Sequence, residues 1–315
     1  MPHIVVAGKL HAAGLALLDQ AAGVSYDYVP DADPSAYLKV LPRAEGLVLR
    51  TQPLRVADVA AAPHLQIVSR HGVGYDAVET AALAARGIQL AIVGDVNSRT
   101  VAEHAMMLLL AASRRLVKSA AALRAGDWAY RNAFEPQEID GKTLLIIGYG
   151  RIGRRLAELA DVFGMRVLAY DPFVPEGGFD GAKRVAVLAD ALPEADCVSL
   201  HMPKSNAPVL GAGELDLLPD HAVLVNTARG GLIDEAALLQ RLQRGEIGAV
   251  GFDVLTEEPP GADHPFLALQ NAIVTPHSAG LTEECAARMA RVSVQNVLDY
   301  FAGQLDPALC VNLVK

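Results

Sequence analysis

Cysteine is scarce in this chain of 315 residues. Its three cysteines, Cys197, Cys285 and Cys310, form no C-x-x-C pair and are odd in number. The sequence therefore predicts neither a disulfide framework nor a metal site. Thiols that stay reduced are typical of a cytoplasmic protein, and we expect that location here.

Long hydrophobic runs are missing as well. The longest apolar block covers residues 105–112 and is far too short to span a bilayer, so it predicts a buried helix. The N-terminal stretch MPHIVVAGKL enters a strand-like run directly, without a basic segment or a cleavage site. We expect no association with a membrane.

An excess of positive charge is also absent. The chain has 27 Lys and Arg against 36 Asp and Glu, a net charge of −9. Such a chain has no general affinity for nucleic acid, so an anionic substrate would need locally placed arginines. A hydrophobic content of 52% with 20% charged residues indicates a globular protein, and the length suits two domains.

Short runs rich in Val, Ile and Leu alternate with Ala-rich stretches along the chain. This alternation is typical of α/β structure with parallel sheets. The first third predicts strands over residues 4–7, 46–49, 65–68 and 89–92, and helices over residues 12–21 and 77–86. Thr100 and Glu103 form a T-x-x-E pattern, which predicts that a helix begins there with a capping box. A second α/β series runs from Leu144 to about Ala279, and a last helix covers roughly residues 283–301.

One segment has the order of a mononucleotide-binding βαβ unit. An apolar run meets Gly148, Gly150 and Gly153 in G-x-G-x-x-G spacing, a helical segment follows, and a second apolar run ends at Asp171. These glycines allow a tight turn, a close approach of backbone to a pyrophosphate, and packing of helix on strand. A carboxylate at residue 171 would bind both ribose hydroxyls and repel a 2′-phosphate. The segment predicts dinucleotide binding, with NAD favoured over NADP.

Polar residues follow three later strand candidates. Arg229 follows the strand AVLVNT, Glu258 lies beyond GAVGFDV, and His277 follows AIVT. Because ligands bind beyond the carboxyl ends of parallel strands, we expect these side chains to converge near the nicotinamide. Arg229 can hold a carboxylate and polarise the adjacent carbonyl, while His277 can exchange a proton with the carbonyl oxygen. Glu258 would orient the imidazole; Glu257 competes for this role, and the E-P pattern favours Glu258.

The chain resembles the D-isomer-specific 2-hydroxyacid dehydrogenases, in particular the phosphoglycerate dehydrogenase and hydroxypyruvate/glyoxylate reductase branch. The resemblance spans nearly the whole length. It rests on these ordered motifs: SRHGVGYD from Ser69, GYGRIG from Gly148, VNTARGGLIDE from Val225, GFDVLTEEP from Gly251 and TPHSAG from Thr275.

The resemblance implies a fold of two Rossmann-like domains with parallel sheets. A discontinuous, flavodoxin-like substrate-binding domain would comprise residues 1–98 and 283–315, and an NAD-binding Rossmann domain residues 99–282. It also implies a homodimer formed through the nucleotide domain. The implied reaction is NAD-dependent interconversion of a small D-2-hydroxyacid and its 2-keto acid.

The resemblance also assigns roles to individual residues. Arg229, Glu258 and His277 would be the catalytic set, with Arg229 also binding substrate. Backbone around Val73 and Gly74 would bind the substrate carboxylate. The residues expected at NAD(H) are Gly148, Gly150, Arg151, Ile152, Gly153, Asp171, Thr227, Ala228, Asp253, Ala279 and Gly280.

Two arginines of the first third leave the substrate open. Arg50 and Arg70 each follow a strand candidate and would point toward an interdomain cleft. In phosphoglycerate dehydrogenases, matching arginines meet the substrate phosphate. The pair would suit a second anionic group on the acid, or it balances an acidic surface.

The substrate therefore stays open between a 3-phosphoglycerate-like acid and hydroxypyruvate or glyoxylate. Two other functions also stay open. One is a non-catalytic, corepressor-like regulatory protein that binds NAD; the other is a phosphite or formate dehydrogenase.

Overall fold

The computed structural model describes residues 1–312, in which strands and helices alternate along most of the chain. The strands are β1 (His3–Ala7), β2 (Ser25–Val29), β3 (Gly46–Leu49), β4 (Ile67–Arg70), β5 (Gln89–Ala91), β6 (Thr143–Ile147), β7 (Arg166–Tyr170), β8 (Lys183–Arg184), β9 (Cys197–Leu200), β10 (Val223–Asn226), β11 (Ala249–Phe252), β12 (Ala272–Val274) and β13 (Cys310–Asn312). The α-helices are α1 (Ala12–Gln20), α2 (Pro34–Leu38), α3 (Val56–Ala60), α4 (Thr80–Ala85), α5 (Ser98–Ser113), α6 (Leu116–Arg124), α7 (Arg151–Val162), α8 (Leu188–Ala191), α9 (Ala212–Asp216), α10 (Glu235–Arg244) and α11 (Glu283–Phe301). Short 3₁₀ helices cover Leu41–Arg43, Trp128–Asn132, Glu176–Gly178, Leu192–Glu194, Pro265–Ala268 and Pro307–Leu309.

The chain divides into two compact units. The first unit comprises Met1–Asn97 together with the chain from Leu281 onward, and the second is Ser98–Gly280. The divisions fall one and two residues before the positions expected from sequence, residues 98 and 282. Which unit binds substrate stays a prediction.

The first unit contains a sheet with the order β13-β5-β4-β3-β1-β2. Strands β1 to β5 are parallel, and β13 runs antiparallel to β5 at one edge. The parallel part has the flavodoxin-like order 2-1-3-4-5, whose switch point lies between β1 and β3. The prediction of a flavodoxin-like sheet is confirmed.

Helix α11 packs on this first sheet. Its Val294 and Val297 are fully buried in one core cluster with Ile4 and Val6 of β1. A Cβ atom added at Gly46 would lie 2.6 Å from a methyl group of Val297, so only glycine lets β3 meet the helix this closely. The C-terminal helix thus completes a core whose strands come from the start of the chain.

The second unit contains a parallel sheet with the order β12-β11-β10-β9-β6-β7-β8. Six of its strands have the dinucleotide-binding order 3-2-1-4-5-6, and β12 adds a seventh. Helix α5 covers one face: an added Cβ at Gly251 of β11 would lie 2.8 Å from Cβ of Leu108. The prediction of two α/β units with parallel sheets is confirmed.

The start of α5 corrects the sequence analysis. The helix begins at Ser98, so Thr100 lies inside its first turn and is buried there, and the predicted capping box is wrong. A capping residue must precede the helix and have extended backbone, whereas Thr100 lies inside the helix. Glu103 instead pairs with Arg99, at 3.0 Å.

Neither a membrane-spanning helix nor a metal-binding group of side chains occurs among the described residues. Between residues 1 and 312 no helix has the length and apolar character needed to cross a membrane. Over the same residues, no three His, Cys, Asp or Glu side chains group closely enough to hold a metal ion.

Candidate active site

The candidate residues of the second unit lie beyond the carboxyl ends of its strands. The glycine loop follows β6, Arg229 follows β10, Asp253 follows β11, and His277 follows β12. Since these strands are parallel, their carboxyl ends share one edge of the sheet. Residues that are far apart in the sequence therefore lie along the same edge of the sheet.

The glycine loop after β6 is closely packed on one side and open on the other. An added Cβ at Gly148 would lie 2.5 Å from the carbonyl oxygen of His201, and one at Gly153 would lie 2.3 Å from that of Gly148. Gly148 also has a φ of +96°, which favours glycine. Apart from Gly150 and its two chain neighbours, no described residue has an atom within 4 Å of a Cβ added at Gly150. The loop thus leaves space for a ligand at Gly150.

Helix α7 starts at this open point. Gly150 is its N-cap and provides no side-chain cap, so the first N–H groups, at Arg151 and Ile152, are available to an anion. The Asp171 carboxylate is fixed beside the loop: Oδ2 accepts a hydrogen bond from the Tyr149 amide (2.8 Å) and Oδ1 one from the Phe173 amide (2.9 Å). An open glycine, a helix N-terminus and an oriented carboxylate fit a dinucleotide.

A second feature at the same edge fits a bound cofactor. Thr227 and Ala228, directly after β10, are buried. The Thr227 hydroxyl oxygen is also buried, and within residues 1–312 it has no hydrogen-bond partner. Because buried polar atoms normally have a partner, this one is suited to a polar group of a ligand.

The loop that carries Arg229 is held by buried contacts. Asn226, 3% exposed, donates from Nδ2 to the Arg229 carbonyl (2.8 Å) and accepts the Ala228 amide at Oδ1 (3.0 Å). An added Cβ at Gly230 would lie 1.9 Å from the carbonyl oxygen of Leu255. The loops after β10 and β11 therefore cross in contact, which brings Arg229 toward the segment that carries Glu258.

His277 and Glu258 form a close pair. His277 Nδ1 lies 2.7 Å from Glu258 Oε2, and Glu258 Oε1 accepts the Leu255 amide at 3.0 Å. The imidazole is 57% exposed and the carboxylate 36%. With Nδ1 occupied by Glu258, Nε2 is the ring nitrogen available to a substrate.

Each member of the pair favours the charged form of the other. The hydrogen bond with Glu258 raises the pKa of His277, and the charges of Glu258 and Asp253 add to this, against the opposing effects of burial and Arg229. Burial acts to raise the pKa of Glu258, but hydrogen bonds from His277 and the Leu255 amide outweigh it and leave the pKa below its usual value. The positive charge of Arg229 acts to lower the pKa of both groups, and at His277 the other effects outweigh it.

Asp253 has a role in the structure that the sequence analysis missed. Its carboxylate is 1% exposed and accepts hydrogen bonds from the Thr275 hydroxyl (2.5 Å), the Ser278 amide (2.9 Å) and the Ala279 amide (2.8 Å). The Thr275 oxygen also lies 3.0 Å from His104 Nε2. His104 and Thr275 are 171 residues apart, so no local spacing in the sequence signals their contact.

The candidate residues of the first unit lie at the carboxyl edge of its own sheet. Arg50 follows β3, and Arg70 is the last residue of β4, with Nη1 donating to the His71 carbonyl at 3.1 Å. His71 is 6% exposed, and burial together with the charges of Arg50 and Arg70 lowers its pKa to about 4. The segment with Val73 and Gly74 follows directly.

Residues 106–279, more than half of the chain, match the family described as D-isomer specific 2-hydroxyacid dehydrogenase, NAD binding domain. The glyoxylate reductase of Korarchaeum cryptofilum is 34% identical over 98% of this chain and 95% of its own length. The chain belongs to the D-isomer-specific 2-hydroxyacid dehydrogenases.

Other members of the family are similarly close. The D-3-phosphoglycerate dehydrogenase of Mycobacterium tuberculosis is 37% identical over 98% of this chain, which spans 58% of that relative's length. The crystal structure of the NADPH-dependent glyoxylate/hydroxypyruvate reductase of Sinorhizobium meliloti superimposes with a TM-score of 0.88 at 30% identity, covering 99% of this chain and 98% of that one. In this member of the family, the second unit contains the NAD-binding domain, and NAD(H) is the cofactor.

Proposed function

We propose that the protein interconverts a small D-2-hydroxyacid and its 2-keto acid with NAD(H). The observation that carries the proposal is the His277–Glu258 pair, 2.7 Å apart, with Arg229 close by at the edge of the sheet that holds the open glycine loop. A proton donor and a fixed cation beside a dinucleotide site are what reduction of a 2-keto acid requires.

His277 would donate the proton. Bound NADH supplies the hydride to the carbonyl carbon. Because Glu258 occupies Nδ1 and raises the pKa of the ring, the imidazolium presents its Nε2 proton to the carbonyl oxygen. In the reverse direction the neutral ring accepts the hydroxyl proton at the same nitrogen.

Arg229 would bind the substrate carboxylate. Its guanidinium is permanently charged and matches a carboxylate in two parallel hydrogen bonds. Asn226 fixes the Arg229 backbone, and Arg229 Nη1 donates to the Ala228 carbonyl at 2.6 Å, so the guanidinium is held before substrate binds. The same cation would polarise the adjacent carbonyl as negative charge develops on its oxygen.

The remaining cofactor assignments follow the same site. The amides of Arg151 and Ile152 would bind the pyrophosphate, and Asp171 would bind the ribose hydroxyls and disfavour a 2′-phosphate. Thr227, Ala228, Ala279 and Gly280 would line the nicotinamide. By the family resemblance Asp253 would lie at the nicotinamide amide, and its carboxylate also accepts three hydrogen bonds from the protein.

The first unit would contribute to recognition of the acid. Backbone amides around Val73 and Gly74 would bind the carboxylate, and Arg50 and Arg70 would attract a second anionic group. Similar proteins support both substrate classes. One is a D-3-phosphoglycerate dehydrogenase, and others are a glyoxylate reductase and a glycerate dehydrogenase. The substrate is proposed as a 3-phosphoglycerate-like acid, or hydroxypyruvate or glyoxylate.

Partner and location complete the proposal. The second unit exposes a cluster of large apolar side chains on α6 and the segment after it, which supports a homodimer. Cys197, Cys285 and Cys310 are free thiols, which supports a cytoplasmic location.

NADH oxidation with a panel of 2-keto acids tests the function. The panel contains glyoxylate, hydroxypyruvate, phosphohydroxypyruvate, sulfopyruvate and oxaloacetate, each tried with wild type, Arg70→Ala and the control Arg43→Ala, an exposed arginine of the same unit. Turnover of a doubly anionic acid that only Arg70→Ala abolishes would support the second-anion site. Turnover of glyoxylate or hydroxypyruvate, indifferent to Arg70, would give a simple reductase. No turnover despite tight NADH binding would contradict the proposal and favour an NAD-binding regulatory protein.

A further inference from the structure

A chain of hydrogen bonds lies behind the loop that carries His277. It begins at His104 in α5, passes through the hydroxyl of Thr275 after β12, and ends at the carboxylate of Asp253 after β11. The two contacts measure 3.0 Å and 2.5 Å, and His104 Nε2 lies 3.5 Å from Asp253 Oδ1. Three elements of the second unit therefore meet at one buried carboxylate.

The direction of these hydrogen bonds follows from the chemistry of the groups. A threonine hydroxyl has a single hydrogen, and an ionised carboxylate can only accept. The short contact with Asp253 therefore takes the hydroxyl hydrogen of Thr275, and the Thr275 oxygen is left to accept. His104 must then donate from Nε2–H. Each donor of the chain points toward Asp253.

Asp253 holds the backbone at the acid–base histidine and directly after it. Its carbonyl oxygen accepts the His277 amide at 2.9 Å, and its carboxylate accepts the amides of Ser278 and Ala279. His277 has a φ of +51°, in the left-handed region. For a residue other than glycine this conformation is unfavourable and persists only where neighbours impose it.

We propose that His104 is a positioning residue for His277. Its Nε2–H, acting through the Thr275 hydroxyl, fixes the Asp253 carboxylate and with it the left-handed turn that places the imidazole against Glu258. The proposal rests on the proposed function for what His277 does in catalysis. The positioning itself rests on the contacts of the second unit.

Loss of the donor has a defined consequence at His277. The charged groups that act on this imidazole are Glu258, Asp253 and Arg229. Without the His104 hydrogen bond, Thr275 and Asp253 lose their fixed arrangement and the turn relaxes. The imidazole then loses part of its contact with Glu258, and its pKa falls toward the usual value for histidine.

Two variants of His104 separate hydrogen bonding from packing. His104→Gln keeps an N–H donor at a similar reach, whereas His104→Leu has similar bulk and no donor. The pKa of His277 is read in the free protein by NMR titration of the imidazole signals, with its signal assigned by its absence from His277→Asn. We expect a lower pKa in His104→Leu and a nearly wild-type pKa in His104→Gln.

Kinetics provide the second readout. In His104→Leu, kcat for keto-acid reduction falls about ten- to a hundredfold, as expected for a misplaced catalytic group. The alkaline limb of its pH profile moves to lower pH together with the titration of His277. His104→Gln recovers both. If no acid is turned over by wild type, the proposed function fails, and the NMR titration still tests the positioning role.

Two further sets of variants separate loss of these hydrogen bonds from a general loss of stability. Should His104→Leu fail to fold, Thr275→Val against Thr275→Ser tests the same chain at its middle member. Leu109→Ala removes a buried core side chain from the same helix. It lowers stability and leaves the His104–Thr275–Asp253 hydrogen bonds in place. An unchanged His277 pKa in His104→Leu would overturn the proposal, as would an equal shift in Leu109→Ala.

Discussion

At the scale of single residues, His277 and Glu258 define a pH dependence. The pair raises the pKa of the imidazole, and reduction of a keto acid needs the protonated ring. The rate of the proposed reduction is therefore at its full value below this pKa and is lost as the pH rises through it. Oxidation of the hydroxyacid needs the neutral ring and is lost as the pH falls through the same pKa.

Glu258→Gln tests this dependence. The amide removes the negative charge that stabilises the imidazolium, so the alkaline limb for reduction moves to lower pH and kcat/KM falls about ten- to a hundredfold at neutral pH. Glu257→Gln is the matched control, because it removes an adjacent exposed carboxylate. The measurement is kcat/KM for reduction against pH in both variants. Identical profiles for the two would contradict the role of Glu258.

Asp171 is predicted to decide between NAD and NADP. Asp171→Asn keeps acceptor oxygen and size but removes the charge that would repel a 2′-phosphate. The ratio of kcat/KM for NADPH over NADH should rise about tenfold, which corresponds to roughly 1.4 kcal/mol of lost repulsion. Asp180→Asn, in the same loop region, is the control. An unchanged ratio in Asp171→Asn would refute the assignment.

At the scale of elements, Gly230 is where two site loops cross. Its added Cβ would lie 1.9 Å from the Leu255 carbonyl, and backbone cannot move aside as a side chain can. Gly230→Ala should separate the loops after β10 and β11, lower stability by about 1–3 kcal/mol, and reduce kcat strongly. Gly213→Ala, in α9, where an added Cβ meets no atom within 4 Å beyond its own helix and chain neighbours, should leave kcat nearly unchanged and should not lower stability, because alanine favours a helix over glycine. Urea midpoints and kcat check both; equal effects in the two variants would rule out the crossing as the cause.

Elements with a strong apolar period were predictable, and others were not. Residues 283–301, predicted as a helix, are α11, and the strands after which Arg229 and His277 lie were identified. Strand β2, SYDYV, was not predicted because it lacks the run of Val, Ile and Leu that marks the predicted strands, and its side chains are only half-buried. The start of α5 was wrong because T-x-x-E also occurs inside a helix, where Thr100 is buried by tertiary packing.

The features of the candidate site also divide into those that were predictable from the sequence and those that were not. Arg229, Glu258 and His277 each follow a strand, so topology alone brings them to one edge. The contacts of His104 with Thr275, and of Gly230 with Leu255, join positions that no periodicity relates. Such contacts depend on how loops cross in three dimensions, which spacing along the chain does not encode.

At the scale of the whole molecule, each unit has its own sheet with functional candidates at the carboxyl edge. In the second unit these are the glycine loop and the His277 pair; in the first they are Arg50 and Arg70. The first core needs both ends of the chain, because α11 buries Val297 against strands that start at residue 3. Residues proposed to bind the cofactor and residues proposed to select the acid are thereby carried by separate cores, so either set can change without repacking the other.

The exposed apolar cluster on the second unit predicts the assembly of the molecule. Leu123 on α6 is 58% exposed, Trp128 67% and Phe134 85%, a concentration that is costly on a monomer surface. Leu123→Glu would place a charge in the proposed interface, a cost of several kcal/mol, and should weaken dimerisation at least about a hundredfold. Val162→Glu, at a valine of α7 that is 84% exposed, is the control. Sedimentation equilibrium should give twice 33.2 kDa for wild type and the control and 33.2 kDa for Leu123→Glu. A monomeric wild type, or a dimeric Leu123→Glu, would show that this cluster has another purpose.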